Sequence, residues 1–167
     1  MIHFITGGQR SGKSNYAQQL ALQIAERPIY LATSRIWDDD HRQRMEFHKK
    51  DRDSRWENIE EEKYLGKLTL LNRTVVLDCV TLWLTNFFTD THYQVQESLE
   101  QAKTELDTFT KQEMNLFIVS NEIGMGTHAA TDIGRKFTDL QGWMNQYIAK
   151  QADVVTLMVA GIPVKIK

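Results

Sequence analysis

The stretch GGQRSGKS, Gly7 to Ser14, stands between a β-rich run, IHFIT, and a segment whose apolar residues recur at helical spacing. It fits the pattern G-x-x-x-x-G-K-[ST], in which glycines let the backbone turn its N–H groups toward phosphate oxygens. A helix that begins near Gly12 would add the positive end of its dipole. Because the pattern lies between a predicted strand and a predicted helix, it predicts a site for a nucleoside triphosphate.

The residues of this phosphate loop have expected roles in that site. Lys13 is expected to reach the β and γ phosphates, and the Ser14 hydroxyl is expected to bind Mg²⁺. A second Mg²⁺ ligand is expected at the end of another strand, and Asp78, which ends the run VVLD, is the candidate. The alternative for Asp78 is a role as N-cap of the helix that follows. The nucleotide-binding residues predicted in the loop are Gly7, Gly8, Gln9, Arg10, Ser11, Gly12, Lys13 and Ser14.

Strand-like and helix-like segments alternate along the chain. The predicted strands cover residues 2–6, 28–33, 74–80, 116–121, 153–160 and 163–167, and the predicted helices cover about 12–27, 80–88, 94–112 and 132–151. A polar helical segment is expected between the second and third of these strands. The alternation favours an α/β fold with a mostly parallel sheet between helices and a C-terminal hairpin around Gly161. Ligands bind beyond the carboxyl ends of such strands, here after Thr6, Thr33, Asp78 and Asn121.

The composition of the chain limits the classes of protein to which it can belong. The 167 residues suit a single domain, 1–167, with 41% hydrophobic and 25% charged residues. The formal net charge of −2 indicates no general attraction to nucleic acid, and we find no apolar run long enough to span a membrane. The single cysteine, Cys79, lies in an apolar run and is interpreted as a core residue, which fits a cytoplasmic location.

One histidine, His48, lies among cations in the stretch RMEFHKKDRDSRW, Arg44 to Trp56. Nearby positive charges lower the pKa of an imidazole, so this setting favours the neutral, nucleophilic form. The same charges would attract an anion. The alternative is a solvated, charge-rich helix face.

Further stretches carry a resemblance that the phosphate loop alone does not. They are YLATS, HKKDR, LDCVTLWLTN, VSNEIGMG, GRKFTDLQGWMNQ and the tail VAGIPVKIK. With the loop, they resemble the bifunctional adenosylcobinamide kinase / adenosylcobinamide-phosphate guanylyltransferase family, nearly end to end and in consistent order. The resemblance implies a RecA-like P-loop NTPase fold and a homotrimer.

That family implies two reactions in cobalamin biosynthesis. A nucleoside triphosphate, ATP or GTP, phosphorylates adenosylcobinamide, and GTP then donates GMP to adenosylcobinamide phosphate through a covalent histidine, releasing pyrophosphate. On matching positions the histidine is His48, with Mg²⁺ accompanying the nucleotides. The other nucleotide-binding positions that the resemblance implies outside the loop are Ala32, Thr33, Ser34, Lys49, Lys50, Asp51, Arg52, Glu60 and Asp78.

Several polar residues stay ambiguous at this stage. His3, His41 and His92 are interpreted as structural or solvated, whereas His128 follows the glycine-bearing loop at the functional edge. Asn121 and Glu122 either anchor that loop by hydrogen bonds or position water, metal or cobinamide. The targets of Arg135, Asn145 and Gln146 are not evident from the sequence.

The chain also departs from the family pattern. Asp78 stands where some members carry Glu, Thr138 replaces an expected arginine, and THAATD follows GMG where a more apolar loop is usual. The segment 89–97 is shorter than in longer members. These changes concern the expected cobinamide side of the site. The alternatives are a member with one activity, a non-catalytic GTP-binding regulatory protein, or an unrelated small-molecule kinase.

Overall fold

The computed structural model describes residues 1–35 and 53–167. Within these ranges, seven strands form one sheet, and the strands are β1 (Ile2–Gly7), β2 (Ile29–Ala32), β3 (Glu57–Glu60), β4 (Thr74–Asp78), β5 (Asn115–Asn121), β6 (Val154–Val159) and β7 (Ile162–Lys165). The helices are α1 (Lys13–Ile24), α2 (Val80–Asp90), α3 (Val95–Phe109) and α4 (Asp132–Gln151), with a 3-10 turn at Leu65–Lys67. None of the helices in the described ranges has the length and apolar character needed to cross a membrane.

The sheet has the strand order β3-β2-β4-β5-β1-β6-β7. Every pairing is parallel except that of β6 with β7, which form the antiparallel C-terminal hairpin. The predicted α/β class, mostly parallel sheet and terminal hairpin are therefore confirmed. Strand β5 lies between β1, which leads into the phosphate loop, and β4, which ends at Asp78.

Helices cover both faces of the sheet. On one face Ala17 and Ala21 of α1 pack with Ile5 and Val76. On the other face a larger core joins the sheet to α2, α3 and α4, with members that include Phe4, Trp83, Leu106 and Met144. With side chains buried on both faces, the strand ends are the part of the sheet left open to a ligand.

The predicted elements differ from the observed ones mainly at their ends. Helix α1 ends at Ile24 rather than near Arg27 because Ala25 is extended, with φ −135° and ψ 138°. Strand β4 ends at Asp78, two residues early, and α3 ends at Phe109 rather than Gln112. Strand β3 was not predicted. The polar helical segment predicted between β2 and the next strand lies largely outside the described residues.

Candidate active site

The backbone of the phosphate loop depends on two of its glycines. Gly12 precedes α1 with φ +93°, a left-handed conformation that side chains disfavour. Gly7 has φ +152°, and a Cβ there would lie 2.5 Å from the carbonyl oxygen of Met158. The loop is also tied to the hairpin, since the Gly161 N–H donates to the Ser11 carbonyl at 3.0 Å. Neighbouring strands therefore hold the loop tightly where it leaves β1.

Lys13 points back into its own loop. Its ammonium donates to the Gly8 carbonyl at 2.6 Å and to the Ser11 hydroxyl at 3.4 Å, and the residue is only 6% exposed. Burial lowers the pKa of Lys13, and the negative charge of Asp78 acts in the opposite direction. The cation thus lies inside the loop and within electrostatic reach of the β4 carboxylate.

Asp78 is at the end of β4, as the sequence predicts. Its carboxylate accepts a hydrogen bond from the Tyr30 hydroxyl at 2.9 Å. The N-cap position of α2 belongs to Cys79, and no side chain caps that helix. The alternative role of Asp78 as N-cap is therefore wrong, and its carboxylate is held at the sheet edge by β2 instead.

The strand register aligns three predicted nucleotide-binding positions. Ala32 pairs with Glu60 on one side and with Asp78 on the other. Farther along the same edge, Gly7 pairs with Asn121 and with Met158. The carboxyl ends of the parallel strands thus bring Ala32, Asp78 and the phosphate loop to one edge, as the alternation of elements predicts. Glu60 joins them at the end of β3, a strand that the alternation does not predict.

The segment after β2 is fixed by buried hydrogen bonds. The Thr33 hydroxyl donates to the Cys79 carbonyl at 2.8 Å and accepts from the Cys79 N–H at 3.1 Å. Asn86 of α2, which is fully buried, donates to the carbonyls of Thr33 and Glu62, both at 2.8 Å. The role of Asn86 is not evident from the sequence, because its partners lie 53 and 24 residues away in the chain.

A cluster of charged side chains holds Arg35, which follows the same segment. The Arg35 guanidinium donates to both oxygens of Asp90 at 2.9 and 3.2 Å and to Glu62 at 2.8 Å. Lys63 adds a 2.8 Å bond to Asp90. Hydrogen bonds from Arg35 and Lys63 hold the pKa of Asp90 well below its usual range. This cluster, Arg35–Glu62–Lys63–Asp90, joins the ends of β2, β3 and α2.

A buried polar network lies under the end of β5. Ser120 and Gln141 are fully buried, and Asn145 is 6% exposed. Asn145 accepts hydrogen bonds from Ser120 at 2.7 Å and from Gln141 at 3.1 Å, and it donates to the Asn121 carbonyl at 3.1 Å. The sequence carries no periodic signal for this network, since α4 supplies two of its members, which lie more than 20 residues along the chain from Ser120.

Asn121 and Glu122 have different contacts. Both nitrogens of Asn121 donate to the Thr81 hydroxyl, at 3.2 and 3.1 Å, which confirms a loop-anchoring role for Asn121. The Glu122 N–H donates to the Gly7 carbonyl at 2.9 Å. The Glu122 carboxylate accepts from Thr6 and from Asn145, each at 3.4 Å. This acid therefore lies beside the first residue of the phosphate loop.

The remaining histidines and Cys79 follow their structural interpretations where they are described. His3 is buried beside Thr156, with Nε2 2.8 Å from its hydroxyl, and His92 is exposed in a turn. His128 is exposed in the loop before α4, so it is not buried as His3 is. Burial raises the pKa of Cys79 to about 12, which makes its thiol a core group rather than a nucleophile.

Arg135 joins the first turn of α4 to the loop that precedes this helix. Its guanidinium donates to the carbonyls of Ala129 and Ala130, both at 3.2 Å.

The predicted nucleophile and the charged residues beside it lie outside the described residues. They are His48, Lys49, Lys50, Asp51 and Arg52, and His41 also lies outside. The structure therefore brings together the loop, Ala32–Ser34, Glu60 and Asp78, and their nucleotide contacts stay predictions.

Comparison with known proteins identifies the family. Residues 3–166 match the family described as cobinamide kinase / cobinamide phosphate guanyltransferase. This chain belongs to that family. The match covers the phosphate loop, the ends of β2, β3 and β4, and the C-terminal hairpin, and so includes the described residues of the candidate site.

Members of the family from several bacteria are similar along their whole length. The chain is 34% identical over 182 residues to the bifunctional adenosylcobalamin biosynthesis protein CobU of Escherichia coli, with 100% of both chains covered. It is 33% identical to the bifunctional adenosylcobalamin biosynthesis protein CobP of Pseudomonas aeruginosa, covering 100% of this chain and 98% of that one. The corresponding protein of Salmonella typhimurium is 32% identical, with full coverage of both.

A solved structure with a similar arrangement is the flagellar accessory protein FlaH from Methanocaldococcus jannaschii. Its TM-score is 0.48 and its sequence identity 14%, over 99% of this chain and 77% of that chain.

Proposed function

We propose that this chain is a bifunctional enzyme that phosphorylates adenosylcobinamide and transfers GMP from GTP to adenosylcobinamide phosphate. Membership of the family, from residue 3 to residue 166, is the observation that carries the proposal. The names of the relatives, bifunctional adenosylcobalamin biosynthesis proteins, support the same role. The phosphate loop adds a physical basis, because both reactions begin with a nucleoside triphosphate.

The loop residues would bind the triphosphate chain. The backbone N–H groups of Gly7 to Ser14 would donate hydrogen bonds to the phosphate oxygens, and Lys13 would leave the Gly8 carbonyl to contact the β and γ phosphates. Ala32 to Ser34 and Glu60 would contact the rest of the nucleotide, as the resemblance implies. The hydrogen bonds from Asn86 and the Arg35 cluster support this role, since they pre-organise the segment after β2.

The residues present suit a magnesium ion that accompanies the nucleotide. Ser14 and Asp78 offer a hydroxyl and a carboxylate, and Mg²⁺ is typically held by one or two such groups together with substrate phosphates and water. The position of Asp78 supports the fit, because the negative charge of its carboxylate at the end of β4 acts on Lys13 of the loop. When bound, Mg²⁺ would neutralise part of the charge on the phosphates.

His48 would carry the guanylyl group. In the first half-reaction the imidazole attacks the α phosphorus of GTP, a P–N bond forms, and pyrophosphate leaves with the electron pair of the broken P–O bond. In the second half-reaction a phosphate oxygen of adenosylcobinamide phosphate attacks the same phosphorus, and the P–N bond breaks. Lys49, Lys50 and Arg52 would stabilise the phosphate charge.

The deciding experiment is intact-protein mass spectrometry after incubation with GTP and Mg²⁺ in the absence of cobinamide. We expect a mass increase of one GMP, mapped to His48 by peptide analysis under alkaline conditions. Bound GTP without an adduct would contradict guanylyl transfer and favour a kinase-only or non-catalytic GTP-binding protein.

The variant His48→Ala separates the two reactions. We expect it to lose the GMP adduct and guanylyl transfer while it still phosphorylates adenosylcobinamide, because phosphoryl transfer relies on the loop. His92→Ala, at an exposed turn, is the matched control and should keep both activities. Equal loss of both activities in a folded His48→Ala protein would contradict this division.

The finer predictions from the resemblance are part of the same proposal. They are a homotrimer, a cytoplasmic location, and the use of ATP or GTP in the kinase step. Competition by cobinamide against a panel of nucleosides would distinguish this proposal from an unrelated small-molecule kinase.

A further inference from the structure

The end of β5 places a carboxylate at the entry of the phosphate loop. Gly7, the first residue of the loop, pairs with Asn121, and the Glu122 N–H donates to the Gly7 carbonyl at 2.9 Å. One oxygen of Glu122, Oε2, accepts from the Thr6 hydroxyl and from Nδ2 of Asn145, each at 3.4 Å. The loop and this acid are thus parts of one local structure.

Buried neighbours fix the orientation of this acid. The Ser120 hydroxyl and the Gln141 amide both donate to Oδ1 of Asn145, at 2.7 and 3.1 Å. With its oxygen so engaged, the Asn145 side chain must present its NH₂ group to the Asn121 carbonyl and to Glu122. The side chains of Ser120, Gln141 and Asn145 hydrogen-bond to one another, although Oε1 of Gln141 is buried without a partner in residues 1–35 and 53–167. Their mutual hydrogen bonds limit the orientations open to Asn145 and so support the carboxylate.

The second oxygen of Glu122 has no such support. Across residues 1–35 and 53–167, no hydrogen bond to Oε1 is found, and the side chain is half-buried. A carboxylate held through one oxygen, with the other available, is suited to accept a proton from a bound hydroxyl.

We propose that Glu122 is the general base of the phosphoryl-transfer step, and that Asn145 is its positioning residue. This inference rests on the proposed kinase function. The hydroxyl oxygen of adenosylcobinamide attacks the γ phosphorus, and an O–P bond forms. The bond from that phosphorus to the β-phosphate oxygen breaks, and the nucleoside diphosphate leaves with its electron pair. The hydroxyl proton passes to Oε1 of Glu122.

The other acids at the sheet edge are less suited to this role. Asp78 is engaged by Tyr30 and belongs with the predicted metal ligands. Glu60 ends β3, four strands from β1, which corresponds to about 19 Å at the usual strand spacing. Glu122 follows the strand that pairs directly with β1.

The two reactions differ in their need for a base. In the kinase step the nucleophile is a neutral hydroxyl that must lose a proton. In guanylyl transfer the nucleophile is a phosphate oxygen that is already anionic. Loss of the base should therefore affect the first reaction and spare the second.

The test compares Glu122→Gln with the wild-type chain in two separate assays. One assay supplies adenosylcobinamide and a nucleoside triphosphate with Mg²⁺, and the other supplies preformed adenosylcobinamide phosphate and GTP. We expect kcat of phosphorylation to fall about 100- to 10,000-fold with little change in the KM for nucleotide. Guanylyl transfer should continue at the wild-type rate.

Two further variants complete the test. Glu122→Asp restores a carboxylate and should recover part of the lost turnover. Glu113→Gln makes the same chemical change at the opposite end of the sheet, at an exposed position, and should leave both reactions unchanged.

The outcomes distinguish failure of this role from failure of the proposed function. An active wild type with unchanged phosphorylation in Glu122→Gln would overturn the role of Glu122 alone. Equal loss of both reactions would overturn it in favour of a structural role. A wild-type chain that converts no adenosylcobinamide would overturn the proposed kinase function and this role with it.

Discussion

At the scale of single residues, Lys13 combines a chemical role with a cost to stability. Its ammonium is nearly buried, and burial lowers its pKa despite the nearby charge of Asp78. A lysine whose pKa is lower in the native state destabilises that state while it is charged. The loop therefore keeps a cation where phosphate oxygens would bind, at the expense of the free energy of folding.

Replacing Lys13 by methionine should separate these two effects. We expect turnover in both reactions to fall about 100- to 1000-fold, because one contact to the phosphates is lost. The free energy of unfolding at pH 7 should increase, because Met fills a similar space without a buried charge. Urea denaturation and the two activity assays measure these quantities.

The stability difference should depend on pH in a defined direction. Between the lowered pKa of native Lys13 and the value of about 10.4 for an unfolded lysine, the unfolded chain binds more protons. Wild-type stability therefore rises with pH in this window, and the advantage of Lys13→Met shrinks. Lys111→Met, at an exposed lysine, is the control. A less stable Lys13→Met protein at pH 7 would show that the bonds to Gly8 and Ser11 outweigh burial.

At the scale of elements, the Arg35–Glu62–Lys63–Asp90 cluster joins three chain segments beside the predicted nucleotide positions. Asp90 is the last residue of α2, where the helix dipole disfavours an acid. Arg35 and Lys63 offset this effect with three hydrogen bonds to the Asp90 carboxylate. The cluster thus fixes the segment after β2 to the end of α2.

The variant Asp90→Asn should loosen this connection. We expect the free energy of unfolding at pH 7 to fall by about 1 kcal/mol, since the pairs are partly exposed, and the KM for nucleotide to rise. Because the native pKa of Asp90 is lowered, its contribution is complete above the usual carboxyl pKa of about 3.9 and is lost as the pH falls below it.

Unfolding measured between pH 7 and pH 3 checks this expectation. The difference between wild type and Asp90→Asn should narrow below pH 4, in line with the usual aspartate pKa of about 3.9. Glu100→Gln, which removes an exposed pair with Lys103, is the control and should change stability little. Equal stability of Asp90→Asn and wild type at pH 7 would contradict a fixing role for the cluster.

Elements with strong local sequence signals were predictable, whereas elements with weak signals were not. Helix α4 was predicted with its observed bounds because its apolar spacing continues from a Thr131 N-cap to Gln151. Strand β3 was missed because ENIE has only four residues and alternates between half-buried and exposed positions at the sheet edge. The early end of α1 was missed because no proline or glycine follows Ile24 directly.

The residues of the candidate site also divide into those that the sequence predicts and those that it does not. The phosphate loop and Asp78 were predictable, because the chemistry of phosphate binding requires fixed spacing and a following acid at a strand end. Asn86, Asn145 and Gln141 were not, because their roles depend on partners that only the folded sheet brings close. A local sequence pattern can identify the groups that bind a ligand. The groups that orient them can be identified only from the tertiary structure.

At the scale of the whole molecule, the two proposed reactions would use the same phosphate loop with different partners. Glu122 follows β5 and adjoins Gly7, and the resemblance assigns the guanylyl nucleophile to His48. Adenosylcobinamide phosphate is the product of one reaction and the substrate of the other. Variants that block only one reaction can therefore show whether this intermediate leaves the protein.

We predict that a mixture of His48→Ala and Glu122→Gln converts adenosylcobinamide to adenosylcobinamide-GDP in the presence of GTP and Mg²⁺. His48→Ala alone should accumulate adenosylcobinamide phosphate, because it lacks the guanylyl nucleophile. Glu122→Gln alone should leave adenosylcobinamide largely unconverted, because it lacks the base. Together they complete the sequence if the intermediate dissociates from one protein and binds the other.

Chromatographic separation of the corrinoids over time measures all three species in one experiment. A control reaction with Glu122→Gln and supplied adenosylcobinamide phosphate establishes that this variant accepts the intermediate from solution. If that control forms adenosylcobinamide-GDP but the mixture stops at the phosphate, release from His48→Ala has failed. The intermediate would then be retained by the protein that makes it, and the two reactions would have to occur in succession at one site.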